Sequence, residues 1–417
     1  MLVSTGLVSR HARSHVVEAL AESRAVALLG ARQVGKSTLA RDLAANEFPA
    51  RYISLDDEVA ATTARGDPRG FIAEVEGPTV IDEVQRAPGL LLAIKERLDR
   101  NQARGQFLLT GSANILTLPT IADALPGRVE YVNLWPFSQG EIHGVRERFI
   151  DSLLDGTFPK VSDAPVGRHA VAKLLATGGY PELQVRSPRS RGGFFASYLA
   201  TILDRDVPDI ANIRSIESVG QLLHVAAARS AALASFYGMS KELGVDANTV
   251  RGHAKILEDL FLIRRLKPWY TNLGARQVKT AKLHVVDSGL LAFLIGANEQ
   301  RIARDGAIAG MALESFVAME LLRQSDWADE PVSLYHYRDK EQREVDVIVE
   351  RYSGEVAGIE VKASATVSGR DFAGLRYLRE KLGRRFKAGV VLYAGSDTLP
   401  FGDRLAAVPL QGLWAGT

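Results

Sequence analysis

Short apolar runs alternate with helical stretches along the first third of this chain. The runs that predict strands are AVALLG, RYISLD, TVIDE, QFLLTGS and VEYVNL. Strands that alternate with helices need crossover connections, and these favour a mostly parallel sheet with both faces covered. The pattern therefore predicts an α/β domain at the N-terminus.

The pattern changes twice further along the chain. From about Phe149 it is mostly helical, and near Met311 it returns to strands. There a helix is followed by YHYR, EVDVIV and VAGIEVK, and then by another helix and the strand AGVVLY. No internal repeat is visible, which excludes solenoids and propellers. We predict four parts, which are an α/β domain, a helical linker, a winged helix-turn-helix region and a small C-terminal α/β domain (residues 1–148, 149–215, 216–300 and 301–417).

Composition narrows the class of protein. The 417 residues include 51 Lys plus Arg against 49 Asp plus Glu, so the formal net charge is +2. This balance excludes a histone-like polycation but leaves room for a local basic strip. The absence of cysteine excludes disulfides, thiolate metal sites and a cysteine nucleophile. Neither a signal-peptide core nor an apolar run of about 18 residues is present, so we expect a cytoplasmic protein without membrane contact.

A phosphate-binding motif follows the first predicted strand. AVALLG leads directly into the pattern G-x-x-x-x-G-K-[ST] and then into a helix. In this motif backbone N–H groups surround phosphates, the lysine (Lys36) reaches the β- and γ-phosphates, and the hydroxyl (Ser37) ligates Mg²⁺. We therefore predict ATP and Mg²⁺ as cofactors. The predicted contact residues are Gly30, Ala31, Arg32, Gln33, Val34, Gly35, Lys36, Ser37 and Thr38.

Two later strands end in polar residues that suit the same site. TVIDE ends in Asp82, which suits Mg²⁺ binding, and Glu83, which suits a base that orients the attacking water. QFLLTGS ends in Thr110 and Ser112, and either hydroxyl could sense the γ-phosphate. Capping of a strand end is the alternative for those hydroxyls.

Two arginines are further candidates. Arg128 follows Leu-Pro-Gly and could act as an arginine finger that spreads its charge over the transferring phosphoryl group. An ion-paired surface arginine is the alternative, and Arg32 inside the loop is equally ambiguous.

These segments together resemble a prokaryotic AAA-type ATPase family. The shared segments are GARQVGKSTL, VIDEVQRAP, FLLTGSANIL, LPGRVEYVNLWPFSQGE, GGYPE, ILDRDVPDI and KLHVVDSGLL, in this order. In that family the ATPase is fused to a C-terminal half that is usually labelled a domain of unknown function. The resemblance covers nearly the whole chain, and its ATPase motifs are more specific than those of the C-terminal half. It implies an ATP-binding, AAA-like module.

The middle of the chain contains a predicted winged helix-turn-helix. Within SKELGVDANTVRGHAKILEDLFLIRRLKP the second helix would present Asn248, Thr249, Arg251 and Lys255 to the major groove of DNA. A basic strip follows, with Trp269 and Tyr270 inside it, and this mixture suits backbone contact and stacking on nucleic acid. The cations of the strip that are candidates for DNA contact are Arg264, Arg265 and Lys267. Protein contact and an intramolecular lid are the alternatives, and the acids Glu258 and Asp259 weaken the DNA interpretation.

The C-terminal part carries a pattern that resembles the restriction-endonuclease-like fold. Glu314 lies on a predicted helix, Asp346 on a strand, and Glu360 and Lys362 form an E-x-K pair two positions apart on another strand, so they face the same side. The three carboxylates are candidate Mg²⁺ ligands, and Lys362 would help to activate water. The alternative is a domain that keeps a salt-bridged Asp–Lys pair and does not cut.

The predicted fold class is α/β, with an AAA-like P-loop domain, a winged-helix middle and a small nuclease-like domain. The predicted function is ATP binding and hydrolysis coupled to action on nucleic acid, with DNA as the expected partner and homo-oligomerisation through the ATPase domain. An ATP-gated DNA-binding regulator and a protein-binding signalling scaffold, both without nuclease activity, are the alternatives.

Overall fold

The computed structural model describes residues 7–111, 125, 127–161, 167–210, 215–270 and 280–415. Its N-terminal part is built on one five-stranded sheet. The strands are β1 (Ala25–Leu29), β2 (Arg51–Ser54), β3 (Thr79–Asp82), β4 (Phe107–Gly111) and β5 (Val129–Asn133). All neighbours are parallel, in the order β2-β3-β4-β1-β5. The predicted parallel sheet is confirmed.

Six helices of the described part of the chain accompany this sheet. They are α1 (Ala12–Glu22), α2 (Lys36–Ala45), α3 (Glu58–Gly66), α4 (Pro68–Ala73), α5 (Leu90–Arg100) and α6 (Gln139–His143). The strands β1 and β4 are buried along their whole length. This burial explains why their sequences are continuous apolar runs and do not alternate.

The next part is helical. Its elements are α7 (Phe149–Leu154), α8 (Arg168–Thr177), α9 (Pro188–Thr201) and α10 (Val207–Ile210), with a single π-helical turn (Ile202–Asp206) between the last two helices. Tyr180 is fully buried, and its hydroxyl pairs with that of Tyr198 at 2.7 Å. This aromatic contact holds the segment before α9 against the helix itself.

Three helices and a small sheet follow. They are α11 (Ile216–Ala228), β6 (Ala232–Leu233), α12 (Phe236–Leu243), α13 (Ala247–Asp259), β7 (Ile263–Leu266) and β8 (Lys282–Val285). The strands are antiparallel, in the order β6-β8-β7. Two short helices, α14 (Ser288–Leu294) and α15 (Glu299–Arg304), lead to the last part.

The C-terminal part begins with a long helix and carries a six-stranded sheet. The elements are α16 (Gly306–Ser325), β9 (Val332–Arg338), β10 (Glu344–Arg351), β11 (Val356–Lys362), α17 (Ala373–Leu382), β12 (Phe386–Tyr393), β13 (Leu399–Pro400) and β14 (Leu405–Pro409). The strands β9, β10 and β11 form an antiparallel meander, whereas β11, β12 and β14 are parallel. Strands β9 to β12 lie where the sequence pattern predicted strands, whereas β13 and β14 were not predicted.

Contacts between the parts are extensive. After β7 the chain reaches the C-terminal sheet, where the N–H of Trp269 donates to the carbonyl of His336 at 2.6 Å. On the other side, the indole of Trp135, just after β5, donates to Asp326 beyond α16 at 2.7 Å. Among the described residues no helix is long and apolar enough to cross a bilayer. The four-part division of the chain stays a prediction.

Candidate functional site

The phosphate loop connects the end of β1 to the start of α2. Gly35, which precedes α2, has a φ of 98°, a left-handed conformation that glycine adopts without strain. At Gly30 a Cβ atom would lie 2.1 Å from the carbonyl oxygen of Leu134, so only glycine fits there. The two glycines of the motif are therefore required for different reasons, one for a turn and one for a close approach.

The Lys36 ammonium is held by the loop itself. It is 4% exposed and donates to the carbonyl oxygens of Gly30 at 2.9 Å and Ala31 at 2.8 Å. Burial lowers the pKa of Lys36 to about 8, although the nearby acids Glu83 and Asp82 oppose this shift. Bound phosphates would compete with the two carbonyls for the ammonium and would raise its pKa again.

Asp82 is the centre of a network of hydroxyl groups. It lies at the carboxyl end of β3 and is 1% exposed. Ser37 donates to one carboxylate oxygen at 2.9 Å, Thr110 donates to the same oxygen, and Tyr52 donates to the other at 2.6 Å. Burial, together with this hydrogen bond, raises the pKa of Tyr52, so its hydroxyl remains a donor. A hard cation such as Mg²⁺ prefers oxygen ligands, and the Ser37 and Asp82 oxygens are the donor set that fits it.

Glu83 has a strained backbone. Its φ of 59° and ψ of 45° are left-handed, which is uncommon for a residue with a side chain and tends to occur at functional sites. The backbone N–H donates to the hydroxyl of Thr110 at 3.0 Å, and the half-buried carboxylate accepts from the amide of Gln85. The predicted base therefore lies beside the Asp82 network, with its carboxylate held by a neighbouring side chain.

Arg32 links the loop to the helical part of the chain. Its guanidinium donates to both oxygens of Asp206, at 2.8 and 3.0 Å, and this interaction raises the pKa of Arg32. Asp206 is 5% exposed and ends the π-helical turn. Such turns are rare and are frequently found at functional sites. The sequence left Arg32 ambiguous, whereas the structure pairs it with a residue 174 positions away.

Arg10 supports the loop from behind, and sequence analysis missed it. Its guanidinium donates to the carbonyl oxygens of Val34 at 2.7 Å and Trp135 at 2.6 Å, and it pairs with Glu141 at 3.0 Å. Glu141 belongs to a capping box with Ser138 at the start of α6. That capping box is visible in the sequence as S-x-x-E, but nothing local indicates that Arg10 joins it.

A cavity of about 510 Å³ adjoins the loop. Its wall includes Val8, Gly35, Thr38, Phe137 and Val185, which come from the N-terminal segment, the loop, α2 and the helical part. Its volume falls within the range of small-molecule sites, which are mostly apolar with a few polar groups.

One predicted residue does not join this site, and another lies outside the described residues. Arg128 lies just before β5, and β5 is parallel to β1 with Val129 opposite Ala25. Arg128 is therefore at the opposite end of the sheet from the loop, roughly 13 Å of strand away. It pairs with Asp99 at 2.5 Å. The predicted finger role within its own chain is wrong because the strand direction carries it away. Ser112 lies outside the described residues.

The C-terminal carboxylates surround a lysine. The ammonium of Lys282, on β8, lies 2.6 Å from Glu314, 2.7 Å from Glu344 and 3.0 Å from Asp346. The lysine side chain is only 3% exposed. Burial alone would lower the pKa of Lys282, but the three carboxylates outweigh it and the net shift is upward. A fixed positive charge thus occupies the position beside the carboxylates for which the sequence predicted a metal.

The E-x-K pair lies next to this cluster. The register that pairs Val347 with Ile359 brings Asp346 beside Glu360 on neighbouring strands. Glu360 pairs with Lys362 at 3.0 Å, and burial together with Asp346 raises the pKa of Glu360 to about 8. Within the described parts of the chain, no group of three His, Cys, Asp or Glu side chains is arranged to hold a metal. The metal-binding role predicted for Asp346, Glu360 and Glu314 stays a prediction, and Lys282 would compete with a metal for Asp346 and Glu314.

The predicted nucleic-acid residues fall into two groups. Asn248, Arg251 and Lys255 are exposed and lie three and four positions apart on α13, so they share one face. Arg251 donates to the side chain of Asn248 at 2.7 Å, and Lys255 pairs with Asp259.

The strip after α13 is partly engaged within the chain. Arg265 pairs with Glu258. Arg264 and Lys267 are both exposed, and Arg264 also lies over the ring of Trp135 at 6.0 Å. Trp269 is 1% exposed and packs against Tyr337. The expectation that this tryptophan stacks on nucleic acid is wrong, because it belongs to the core of the C-terminal part.

Comparison with known proteins bears on each part of the chain. Residues 22–143 match the model of a family described as an AAA domain. The matched residues include the phosphate loop, Asp82 and Glu83. Residues 168–301 and 309–413 match two models that are both described as domains of unknown function, DUF8612 and DUF4143. An AAA domain fused to parts of unknown function is thus what the comparisons support.

Relatives resemble the chain over nearly its full length. Uncharacterised proteins of Mycobacterium tuberculosis and Mycobacterium bovis are each 28% identical over 401 residues, which is 96% of this chain and 83% of theirs. Their descriptions give no activity.

Solved structures resemble the chain at low identity. A Walker-type ATPase from Pyrococcus abyssi is 18% identical, with 69% of this chain and 96% of that chain covered and a TM-score of 0.39. A RuvB variant from Thermotoga maritima is 20% identical, with 61% and 87% covered and a TM-score of 0.28. AMPPCP-bound DnaA from Aquifex aeolicus is 15% identical, with 60% and 86% covered and a TM-score of 0.26.

Proposed function

We propose that this chain binds and hydrolyses ATP with Mg²⁺ and uses the reaction to act on DNA. The observation that carries the ATPase proposal is the contact of Ser37 with Asp82, at 2.9 Å, beside the strained Glu83. The motif hydroxyl and the strand carboxylate lie side by side, as two oxygen ligands of one cation must. The matched AAA domain supports the same function.

The residues of the loop have separate roles in this proposal. Lys36 exchanges its two carbonyl partners for phosphate oxygens, and the N–H groups at the start of α2 stabilise the same charge. Ser37 and Asp82 would hold Mg²⁺, which would supply positive charge for the charge that develops on the phosphates. Glu83 orients the attacking water, and its backbone is held in place by Thr110. The 510 Å³ cavity beside the loop receives the nucleoside.

ATP binding by purified protein tests the first step. Replacing Lys36 with alanine removes a positive charge from the phosphates, so the affinity for ATP should fall by about tenfold to a hundredfold. Lys340, an exposed lysine between β9 and β10, provides a matched control, and its replacement by alanine should leave the affinity unchanged. Equal affinities for the two variants would contradict the proposal.

The DNA proposal rests on α12, α13 and the strands β7 and β8. A helix, a tight turn at Gly244, a second helix and two antiparallel strands are the parts of a winged helix-turn-helix. The exposed face formed by Asn248, Arg251 and Lys255 suits contact with a groove and its phosphates. The Arg32–Asp206 pair, which joins the phosphate loop to the preceding helical part, supports coupling between nucleotide and DNA.

Salt dependence distinguishes DNA contact from protein contact. Replacing Asn248, Arg251 and Lys255 together with alanine should weaken DNA binding and reduce the slope of log affinity against log salt by about two, one for each cation. A control that replaces Lys340 and Arg384, two exposed cations of the C-terminal part, removes the same charge elsewhere. If both variants have the wild-type slope, α13 is a protein-contact helix.

Self-association is part of the proposal. Because Arg128 lies far from the loop of its own chain, an arginine-finger role for it requires a second copy. The specific ATPase activity should then rise with protein concentration, and replacing Arg128 with alanine should remove that rise. An activity that is independent of concentration would restrict Arg128 to its pair with Asp99.

A metal-dependent nuclease is the second candidate function. The order of a helix, a three-stranded meander, a helix and a parallel strand resembles the restriction-endonuclease-like core, and Asp346 lies beside Glu360 and Lys362 in it. Lys282 competes with the metal, so cleavage requires its displacement. Plasmid cleavage with Mn²⁺, with and without ATP, tests this function. Plasmid cleavage that survives Asp346→Ala would come from a contaminating nuclease. If the wild-type protein does not cleave the plasmid either with or without ATP, the nuclease function is excluded and the proposal of a DNA-binding ATPase remains.

A further inference from the structure

A second cavity, of about 680 Å³, lies where three parts of the chain meet. Its wall comes from α6, α8, α9 and the C-terminal segment after β14. Its volume is within the range of ligand sites. The polar and aromatic residues of the wall that matter here are His143, Lys160, Lys173, Gln184, Arg191 and Trp414.

Among the described residues that line this cavity, the charged side chains are all basic. They are Lys160, Lys173 and Arg191. Among the residues that the structure describes, Lys160 and Lys173 have no ion-pair partner. Both lysines are exposed at the cavity, so their charges would attract an anion that binds there.

Arg191 adds an unused donor. One of its terminal nitrogens pairs with Glu299 at 3.1 Å, and the side chain is 12% exposed. Its Nε is buried and has no hydrogen-bond acceptor in the described part of the chain. A buried donor without an acceptor costs free energy, and an anionic ligand could supply that acceptor.

Two aromatic rings stand at the same cavity. The rings of His143 and Trp414 are nearly parallel, with 12° between their planes and 6.5 Å between their centroids. Flat rings of this kind stack on planar heterocycles. A ligand that satisfies both the cations and the rings carries a phosphate and a planar ring.

We propose that this cavity is a second ligand site, separate from the phosphate loop, that binds a free nucleotide. Lys160, Lys173 and Arg191 contact its phosphates, and His143 or Trp414 stacks on its base. Gln184 lines both this cavity and the one beside the phosphate loop, so the two sites share a wall. The proposal does not depend on ATP hydrolysis or on DNA binding.

ADP binding to a full-length protein with a weakened phosphate loop tests the site. In the Lys36→Ala background, calorimetry should still detect one molecule of ADP per chain. Adding Lys173→Glu should lower that affinity by about tenfold or more, because it replaces a charge-assisted contact with repulsion. Adding Lys340→Glu, the charge-matched control, should not change it.

Pyrophosphate and adenosine test separately whether the site recognises the phosphates and the base of the nucleotide. Pyrophosphate should compete with ADP in the Lys36→Ala background, and its competition should be lost with Lys173→Glu. Adenosine alone should bind more weakly than ADP. The proposal is overturned if Lys36→Ala binds no ADP, or if Lys173→Glu and Lys340→Glu bind ADP equally well. When Lys36 is retained, the single substitution Lys173→Glu should leave ADP binding at the phosphate loop intact. Loss of binding at one site can therefore be distinguished from loss of binding at the other.

Discussion

The ammonium of Lys282 lies 3.0 Å from a carboxylate oxygen of Asp346 and joins the small sheet after α13 to the C-terminal sheet. Asp346 is also an acceptor for the backbone N–H of Val361 at 3.0 Å. Both of its oxygens are therefore engaged in this structure. A metal ion at the position of the Lys282 ammonium would have to displace it from Glu314, Glu344 and Asp346.

Replacing Lys282 with methionine should leave Glu314, Glu344 and Asp346 without their shared counter-charge. The free energy of unfolding at pH 7 should fall by about 3 kcal/mol, the lower end for a broken buried pair, because Glu344 is 32% exposed. Lys362→Met, which breaks a single and more exposed pair, should cost less. Chemical denaturation of the two variants measures the difference.

Mn²⁺ should partly rescue the Lys282→Met variant. If the carboxylates form a cation site that the lysine occupies, the metal should raise the melting temperature of the variant more than that of the wild type. An equal effect of Mn²⁺ on both proteins would show that the cluster is an ordinary salt bridge between two parts of the chain.

Removing Arg32 from its pair with Asp206 should lower the free energy of unfolding more than removing the charge of Asp206. Asp206 is 5% exposed, so Arg32→Ala leaves a buried carboxylate without its partner and should cost about 2–4 kcal/mol. Asp206→Asn removes the charge and keeps a hydrogen-bond acceptor, so it should cost less. Urea denaturation of both variants measures the two values. Equal losses would mean that the charge of Asp206 is not the source of the cost.

Glu320 should make stability depend on pH. It is completely buried, accepts from the N–H of Gln139 at 2.9 Å, and pairs with Arg323 at 2.6 Å. Burial raises the pKa of Glu320 from 4.5 to about 7. Between these values the folded chain holds a proton that the unfolded chain has released. This group's contribution to the free energy of unfolding is therefore fully present below pH 4.5 and falls as the pH rises to 7.

Glu320→Gln should flatten this part of the profile because glutamine does not titrate. The comparison is between the slopes of unfolding free energy against pH, for wild type and variant, from pH 5 to 8. A variant that keeps the wild-type slope would assign the dependence to other groups.

The sequence predicted those features of the fold and of the phosphate site that depend on residues close together in the chain. The phosphate loop needs glycines at two fixed positions, and the strand before it must be apolar because it is buried on both faces, so both were visible along the chain. Asp82 followed from strand direction, since parallel strands deliver their carboxyl ends to one edge of the sheet.

Contacts between distant segments were not predictable in the same way. Lys282 lies 32 and 64 positions from Glu314 and Asp346, and Arg32 lies 174 positions from Asp206, so no local pattern joins them. Trp269 and Arg128 were misjudged for a related reason. The sequence shows that a residue is aromatic or basic, but only packing decides whether it is buried or at which end of a strand it lies.

The claim that Glu83 orients the attacking water for ATP hydrolysis is central to this account. It is tested most directly by measuring the ATP affinity and the rate of ATP hydrolysis of the Glu83→Gln variant. The amide keeps the size of the side chain and spares Ser37 and Asp82, so ATP affinity should stay within about twofold of wild type. Single-turnover hydrolysis should slow by about a hundredfold or more, the usual contribution of a positioned base. Glu76→Gln, an exposed acid before β3, should hydrolyse ATP at the wild-type rate. Hydrolysis by Glu83→Gln at the wild-type rate would contradict the account.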